Sequence, residues 1–291
     1  MSLPHQIDYP MPAPAEFPAG RTNWPLEPAR AALLIHDMQR YFLRGYPAGS
    51  TLRQQLIGNL VQLRQWARRH GMPVIYTAQP HQQPAADRAL LNDFWGAGLP
   101  AAAAAEQAIV AELAPDSTDL VLDKWRYSAF QRSDLLTLLG ERQRDQLIIG
   151  GVYAHIGCMA TALEAFMHDI QPFLVGDAVA DFSAAEHRMA LDYVAGRCGQ
   201  VTSTAALLAA QPFSLPSRDW LHQRVAQLVE DSDELDPDES LIYYGLDSLR
   251  VMQLAAELSE RGIRVSFEEL AQAPTLNQWW QLLQQRQAAA S

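Results

Sequence analysis

The chain has 291 residues, 48% apolar and 19% charged, which is enough to bury a sizeable core and argues against global disorder. Lys and Arg total 22 against 33 Asp and Glu, and the resulting formal charge of −11 speaks against a nucleic-acid binder, which would carry a basic face. Two cysteines, Cys158 and Cys198, are too few for a disulfide scaffold, so a reducing, cytoplasmic setting is expected.

Residues 1–24 are Pro-rich and polar, without the basic and apolar blocks of a signal peptide. Ala31–His36 is an apolar run that predicts a buried strand ending at Asp37. Leu56, Leu60, Leu63 and Trp66 have helical spacing and predict a helix over Leu52–His70. Further strands are predicted at Pro73–Thr77, Leu120–Leu122, Gln146–Ile149 and Pro172–Val175. Cys158–Ile170 reads as a helix, and Leu191–Val194 and Ala205–Ala210 as parts of others. The charge-free stretch Leu147–Leu163 holds two adjacent glycines, a tyrosine and a histidine, and is read as strand, loop and helix in series rather than as a membrane span. Strand and helix in alternation predict an α/β fold, a mostly parallel sheet with helices on both faces. In such folds the site lies beyond the carboxyl ends of the strands, where Asp37, Gln79, Lys124 and the Gly150–Gly157 turn all fall. Lys occurs once, at Lys124. Either the composition is Arg-biased and one Lys is left over, or the position needs a compact ammonium that a guanidinium cannot imitate. Position alone leaves both readings open.

Two prolines in Gln211–Pro216 predict a linker between a domain over residues 1–210 and a second over 217–291. From Ser217 onward there are six Arg and thirteen acidic residues, net −7 of the chain's −11, which leaves −4 for the rest. The second domain is predicted to be a small all-α bundle, with helices over Ser217–Val229, Leu249–Arg261 and Leu276–Gln285 and a short turn at Phe267–Leu270. Within it, Gly245-Leu-Asp-Ser248 is the most specific short motif. Gly245 allows a sharp turn, and Ser248 opens a helix, where free N–H groups and the dipole favour a phosphate. Asp247-Ser248 also reads as an ordinary helix cap.

The stretch Trp220–Leu283, with its Gly-Leu-Asp-Ser core and acidic approach, resembles the phosphopantetheine carriers of nonribosomal synthesis. That resemblance implies a phosphopantetheine arm on Ser248, with Leu249 and Met252 either docking partners or packing as core. Residues from about Arg30 to Leu208 resemble the isochorismatase-like hydrolases, through Leu34-Ile-His-Asp-Met-Gln39, Asp123-Lys-Trp-Arg-Tyr-Ser128 and Gly151–Ala162. The amide-cleaving members of that superfamily use a Cys nucleophile where this chain has Gly157, and Cys158 falls one place later, about 100° around a helix. The metal-binding residues of nicotinamidases are not evident around Gln79-Pro80-His81, so no metal is expected. The resemblance therefore points to the vinyl-ether-cleaving isochorismatases, with Asp37 as general acid and Lys124 as its orienting cation. It also implies that Gln79 and Arg88 contact substrate, that Trp95 walls the pocket, and that Tyr153 and the Gly157 amide hold the pyruvyl carboxylate. A general acid with an ordinary carboxyl pKa must overcome ~4 kcal/mol of ionisation at pH 7, modest beside enzymatic barrier reductions of ~8–23 kcal/mol.

Together the two halves resemble the bifunctional isochorismatase–aryl carrier proteins of catechol siderophore synthesis, of the enterobactin type. Implied partners are isochorismate, a phosphopantetheinyl transferase, a 2,3-dihydroxybenzoate-adenylating ligase and a condensation module, together with a homo-oligomeric state and no nucleic acid or membrane. The alternatives are an amidase using Cys158, an inactive hydrolase domain beside a working carrier, and 2-amino-2-deoxyisochorismate as substrate.

Overall fold

A computed structural model of the chain describes residues 4–80, 82–99, 104–209, 217–229, 235–260, 263 and 265–290. The fold divides into two units, Met1–Ala210 and Gln211–Ser291, and the expected linker Gln211–Pro216 lies outside the described residues.

In chain order the first unit runs β1 (Ala31–His36), α1 (Arg40–Leu43), α2 (Thr51–Arg69), β2 (Val74–Ala78), α3 (Ala85–Arg88), α4 (Leu91–Trp95), α5 (Ala104–Gln107), β3 (Leu120–Asp123), α6 (Leu135–Glu141), β4 (Gln146–Val152), α7 (Met159–Met167), β5 (Gln171–Ala180), α8 (Ala184–Arg197), β6 (Gln200–Thr202) and α9 (Thr204–Ala209). The six strands form one sheet in the order β3-β2-β1-β4-β5-β6, and every neighbouring pair is parallel. This is the α/β sheet that the sequence predicts. Three strands go beyond that prediction. β4, expected to end at Ile149, runs on through Gly150 and Gly151 to Val152. β5 continues from Val175 to Ala180 through Gly176 and Asp177, residues that depress strand propensity and so hide its second half. β6 is three residues long, too short to show a period.

The whole of β1 is buried, and its side chains alternate between two cores. Leu33 and Ile35 pack with Leu52, Leu56, Leu60 and Trp66 of α2. Ala32 and Leu34 pack with Leu135 of α6, Ala162 of α7 and Leu191 of α8. A central parallel strand covered on both faces needs this continuous apolar run. The polar N-terminal segment lies against the sheet unit. Ile7 is buried, the Tyr9 hydroxyl accepts from the Asp181 amide at 2.8 Å, and the Trp24 amide donates to Gln200 Oε1 at 3.0 Å.

The order of the strands carries the functional consequence. The chain moves outward from β1 through β2 to β3, then returns to β4 on the other side of β1. The connections leaving β1 and β4 therefore run in opposite directions along the sheet, which opens a crevice at the carboxyl ends of these strands.

The second unit contains α10 (Arg218–Leu228), α11 (Ser248–Glu260), α12 (Phe267–Gln272) and α13 (Leu276–Ala290). Leu221, Val225, Leu254, Leu258, Leu270, Trp279 and Leu283 make its own core, so it folds as the predicted helical bundle. Ser217 caps α10, and Ser266 with Glu269 forms a reciprocal cap on α12. No helix among the described residues is long and apolar enough to cross a membrane.

Candidate active site

At the carboxyl end of β1, Asp37 adopts a φ of +50°, which turns its side chain into the crevice beside β2 and β3. Its carboxylate is 5% exposed and both oxygens are bonded. Lys124, just past β3 and 6% exposed, donates from Nζ to Oδ2 at 2.8 Å. Thr77, on β2, donates from Oγ1 to Oδ1 at 2.7 Å and accepts the Asp37 amide at 3.1 Å. Three adjacent parallel strands thus place one acid, one ammonium and one hydroxyl at a single point.

The cavity around this point measures about 630 Å³ and opens to solvent. Asp37, Lys124, Gln79, Arg88, Trp95, Tyr153 and Gly157, the seven residues singled out in the sequence, all line it. Sequence reasoning missed several others that also line it. Arg126 and Tyr127 lie in the same Asp123–Ser128 motif as Lys124, where the adjacency was available as a signal. Tyr41 and Phe42 come from α1, directly after the Asp37 turn. His36, the last residue of β1, lines it as well.

Arg88 is 4% exposed and sits at the end of α3. Its guanidinium donates to the Gly96 carbonyl at 2.7 Å, to Gln83 Oε1 at 2.6 Å and to Gln79 Oε1 at 3.4 Å. Burial pulls its pKa down from the ordinary arginine value. Gln39 donates from Nε2 to the carbonyl of Gln79 at 3.0 Å and accepts the Gln79 amide at 2.8 Å, which pins that residue at the mouth of β2. Trp95, on α4, donates to the Tyr127 hydroxyl at 2.8 Å. Arg88, Lys124 and Arg126 face one carboxylate, so the lining is net +2 with Asp37 ionised and His36 neutral. The histidine is neutral because burial lowers it to a pKa of about 4.

Gly157 lies in a single wide turn, Ala154–Cys158, that joins β4 to α7 just ahead of the expected helix. A Cβ at Gly157 would stand 2.0 Å from His36 Cε1 and 2.7 Å from its Nε2, so only glycine fits against that ring. The His36 Nδ1–H in turn donates to the Val152 carbonyl at 2.9 Å. The Gly157 amide donates to the Tyr153 carbonyl at 3.1 Å, and the Tyr153 hydroxyl donates to the Phe42 carbonyl at 2.6 Å. Both groups therefore border the cavity with their hydrogens already engaged.

Cys158 does not line the cavity. It is fully buried in the core with Ala154, Ala162 and Leu174, and burial pushes its thiol well above the ordinary range. A thiol that is neither accessible nor ionisable near neutrality cannot serve as a nucleophile. Among the described residues no group of three or more His, Cys, Asp or Glu could hold a metal ion.

In the second unit, Gly245 takes a φ of +85°, which makes the sharp turn before α11. Asp247 caps that helix by accepting the Arg250 amide at 2.8 Å. The cap is therefore Asp247 alone. Ser248 is exposed at the helix start, and its hydroxyl has no hydrogen bond among the described residues. Ile242, Tyr243, Leu249 and Met252 around it are exposed, so Leu249 and Met252 are surface residues rather than core. A free, exposed serine hydroxyl at a helix N-terminus fits covalent attachment of a phosphopantetheine arm.

Comparison with known proteins bears on both units. The isochorismatase-domain profile matches residues 31–206, and the profile for a phosphopantetheine attachment site matches residues 219–283. Enterobactin synthase component B of Escherichia coli (strain K12) is 49% identical over 284 residues, covering 97% of this chain and 98% of that protein. Phenazine biosynthesis protein PhzD1 of Pseudomonas aeruginosa is 50% identical over 206 residues, covering 71% of this chain and 98% of that protein. Among solved structures, a cysteine hydrolase from Pseudomonas syringae pv. phaseolicola 1448A superposes with a TM-score of 0.60 at 27% identity, over 66% of this chain and 96% of the other.

Proposed function

We infer the function from one premise: the chain belongs to the isochorismatase family and carries a phosphopantetheine-binding domain behind the hydrolase. It hydrolyses the enolpyruvyl ether of isochorismate to pyruvate and 2,3-dihydro-2,3-dihydroxybenzoate, and it carries an aryl acid as a thioester in siderophore synthesis. The hydrolase is assigned to residues 1–210 and the carrier to 217–291.

The observation that carries the hydrolase reading is a buried carboxylate in a cavity with a positive lining and no cysteine among its lining residues. Asp37, in its protonated form, gives its proton to the terminal methylene carbon of the vinyl ether. The ether carbon becomes an oxocarbenium ion, water adds to it, and the hemiketal collapses to the two products. When the proton leaves, the new carboxylate already has donors on both oxygens, Lys124 at 2.8 Å and Thr77 at 2.7 Å. Those bonds are fixed before the reaction and need no reorganisation during it. Arg88 and Gln79 are positioned to bind a carboxylate of this dianion, and Trp95 and Tyr153 to wall the ring.

Ser248 is the attachment residue, and the arm it holds supplies a thiol for acyl transfer. The acidic carrier, net −7, favours docking on basic enzymes. The partners of this reading are a phosphopantetheinyl transferase, a 2,3-dihydroxybenzoate-adenylating ligase and a condensation module, in the cytoplasm. Exposed Phe166 and Met167 on α7 and Met189 and Tyr193 on α8 support self-association.

The second reading, 2-amino-2-deoxyisochorismate as substrate, draws on the likeness to the phenazine protein. That protein is accounted for by 206 aligned residues, too few for both units, whereas the enterobactin relative covers both.

The test is pyruvate release from isochorismate by wild type, Asp37→Asn and Cys158→Ala. Turnover survives loss of the thiol and drops by at least about 10²-fold without the acid. A folded wild type that releases no pyruvate overturns the assignment.

A further inference from the structure

Asp181 does not line the cavity, yet it is a fully buried carboxylate whose polar atoms are all engaged. It is the first residue past β5. Its amide donates to Tyr9 Oη at 2.8 Å, and its carbonyl accepts from Tyr46 Oη at 3.0 Å. Oδ2 accepts the His155 amide at 2.6 Å, and Oδ1 accepts the His155 Nδ1–H at 2.6 Å and the Phe182 amide at 2.8 Å. Two of these bonds grip the backbone and the ring of one residue, the second in the wide turn Ala154–Cys158. Two places on, Gly157 lies against the His36 ring too closely for a side chain, and His36 Nδ1 stands 3.7 Å from Asp37 Oδ2. The Phe182 ring lies 4.3 Å from the Tyr153 ring and 6.3 Å from that of Trp95, both in the cavity wall. A buried ion pair adds little stability over well-packed apolar residues, but its bonds have fixed directions. A pair placed here therefore sets where the turn stands more than how firmly the chain folds.

We propose that Asp181 and His155 are positioning residues for the reaction: together they set the turn that backs His36, and through it the place of the Asp37 carboxyl relative to the substrate. This rests on the isochorismate reading above. Neither residue lines the cavity, so the pair acts on the proton transfer through geometry. A displacement of ~1 Å at the reacting atoms is enough to slow such a step by ~10²-fold. Asn at position 155 keeps an N–H donor close to the place of the imidazole Nδ1, whereas Ala keeps none.

The experiment uses the full chain, with pyruvate release from isochorismate followed at limiting and saturating substrate and a urea midpoint measured for each variant. His155→Ala and Asp181→Asn lower kcat about 10- to 100-fold and change KM by no more than about threefold. His155→Asn recovers kcat to within a few-fold of wild type. The double variant Asp181→Asn/His155→Ala is no slower than the slower single, because the pair acts as one unit. A lower urea midpoint with kcat within about twofold of wild type would show a pair that only holds the fold together, and would overturn the assignment. Effects that multiply in the double variant, or a His155→Asn as slow as His155→Ala, would do the same. Where Asp181→Asn fails to fold, His155→Ala and His155→Asn decide between these outcomes. A wild type inert on isochorismate overturns the substrate reading itself, and this assignment with it.

Discussion

At position 36 a fully buried imidazole stands between the Val152 carbonyl and the face of Gly157, with Nδ1 3.7 Å from Asp37 Oδ2. Burial dominates its titration and lowers it to about 4, against ~6.5 in an unfolded chain. The unfolded state thus takes up a proton that the native state refuses. Stability is complete above pH ~6.5 and falls as the pH drops toward 4, by up to ~3 kcal/mol from this residue. Burial lowers His187 too, which adds to the same slope. His155 has the opposite sign. Burial pulls it down, but its 2.6 Å bond to Asp181 outweighs that and leaves it raised, so its contribution is kept in acid and lost as pH rises through its native value. Urea unfolding at pH 7 and pH 5 should show the loss in wild type and a shallower one in His36→Gln; equal slopes would refute it. Asp37, Lys124 and Gly157 were legible at this scale, because each closes a strand or interrupts a motif. Thr77 was not, since a strand threonine has no pattern of its own, whereas Arg126 had a signal in its place two residues past Lys124 in the same motif.

Among the elements, the N-terminal segment is the clearest case of a role hidden from periodicity. It is rich in proline and has no strand or long helix of its own, yet it is tied to the end of β5 and to α8. Tyr9 Oη accepts from the Asp181 amide at 2.8 Å and bonds His187 Nδ1 at 2.9 Å. Asp181 is fully buried and also accepts the His155 amide at 2.6 Å, so Tyr9 braces the turn that holds Gly157. Tyr9→Phe strands a buried amide and should cost ~1–3 kcal/mol, read as a lower urea midpoint at unchanged m. A midpoint equal to wild type would mean that the segment is tied down elsewhere. The turn Ala154–Cys158 falls almost wholly inside the Gly150–Gly157 turn expected from sequence, but its width is not legible there. Its five residues are apolar or small like those that follow, and only the backbone path separates a wide turn from an ordinary one.

For the molecule as a whole, charge is divided unevenly: −7 from Ser217 onward and −4 before it, while the hydrolase cavity is net positive. The acidic carrier is suited to basic enzymes, and the positive cavity to an anionic substrate. Attachment of the arm to Ser248 by a phosphopantetheinyl transferase, followed by intact mass, should slow several-fold as salt rises from 50 to 500 mM, since electrostatic encounter is screened within ~10 Å at 0.1 M. A rate indifferent to salt would show that Ile242, Leu249 and Met252 dominate docking instead. By itself the sequence determined the parallel α/β sheet, the helical bundle and the candidate residues Asp37, Lys124 and Ser248. Strand ends, apolar runs and a short motif are local, and local patterns survive in one dimension. Only the tertiary structure decided that Thr77 holds Asp37, that the His36 ring leaves no room at 157 for a side chain, and that Arg126 reaches the cavity. Those facts depend on the order β3-β2-β1-β4, which brings residues some 40 to 120 positions apart to one crevice, and nothing in the spacing of the chain encodes that distance.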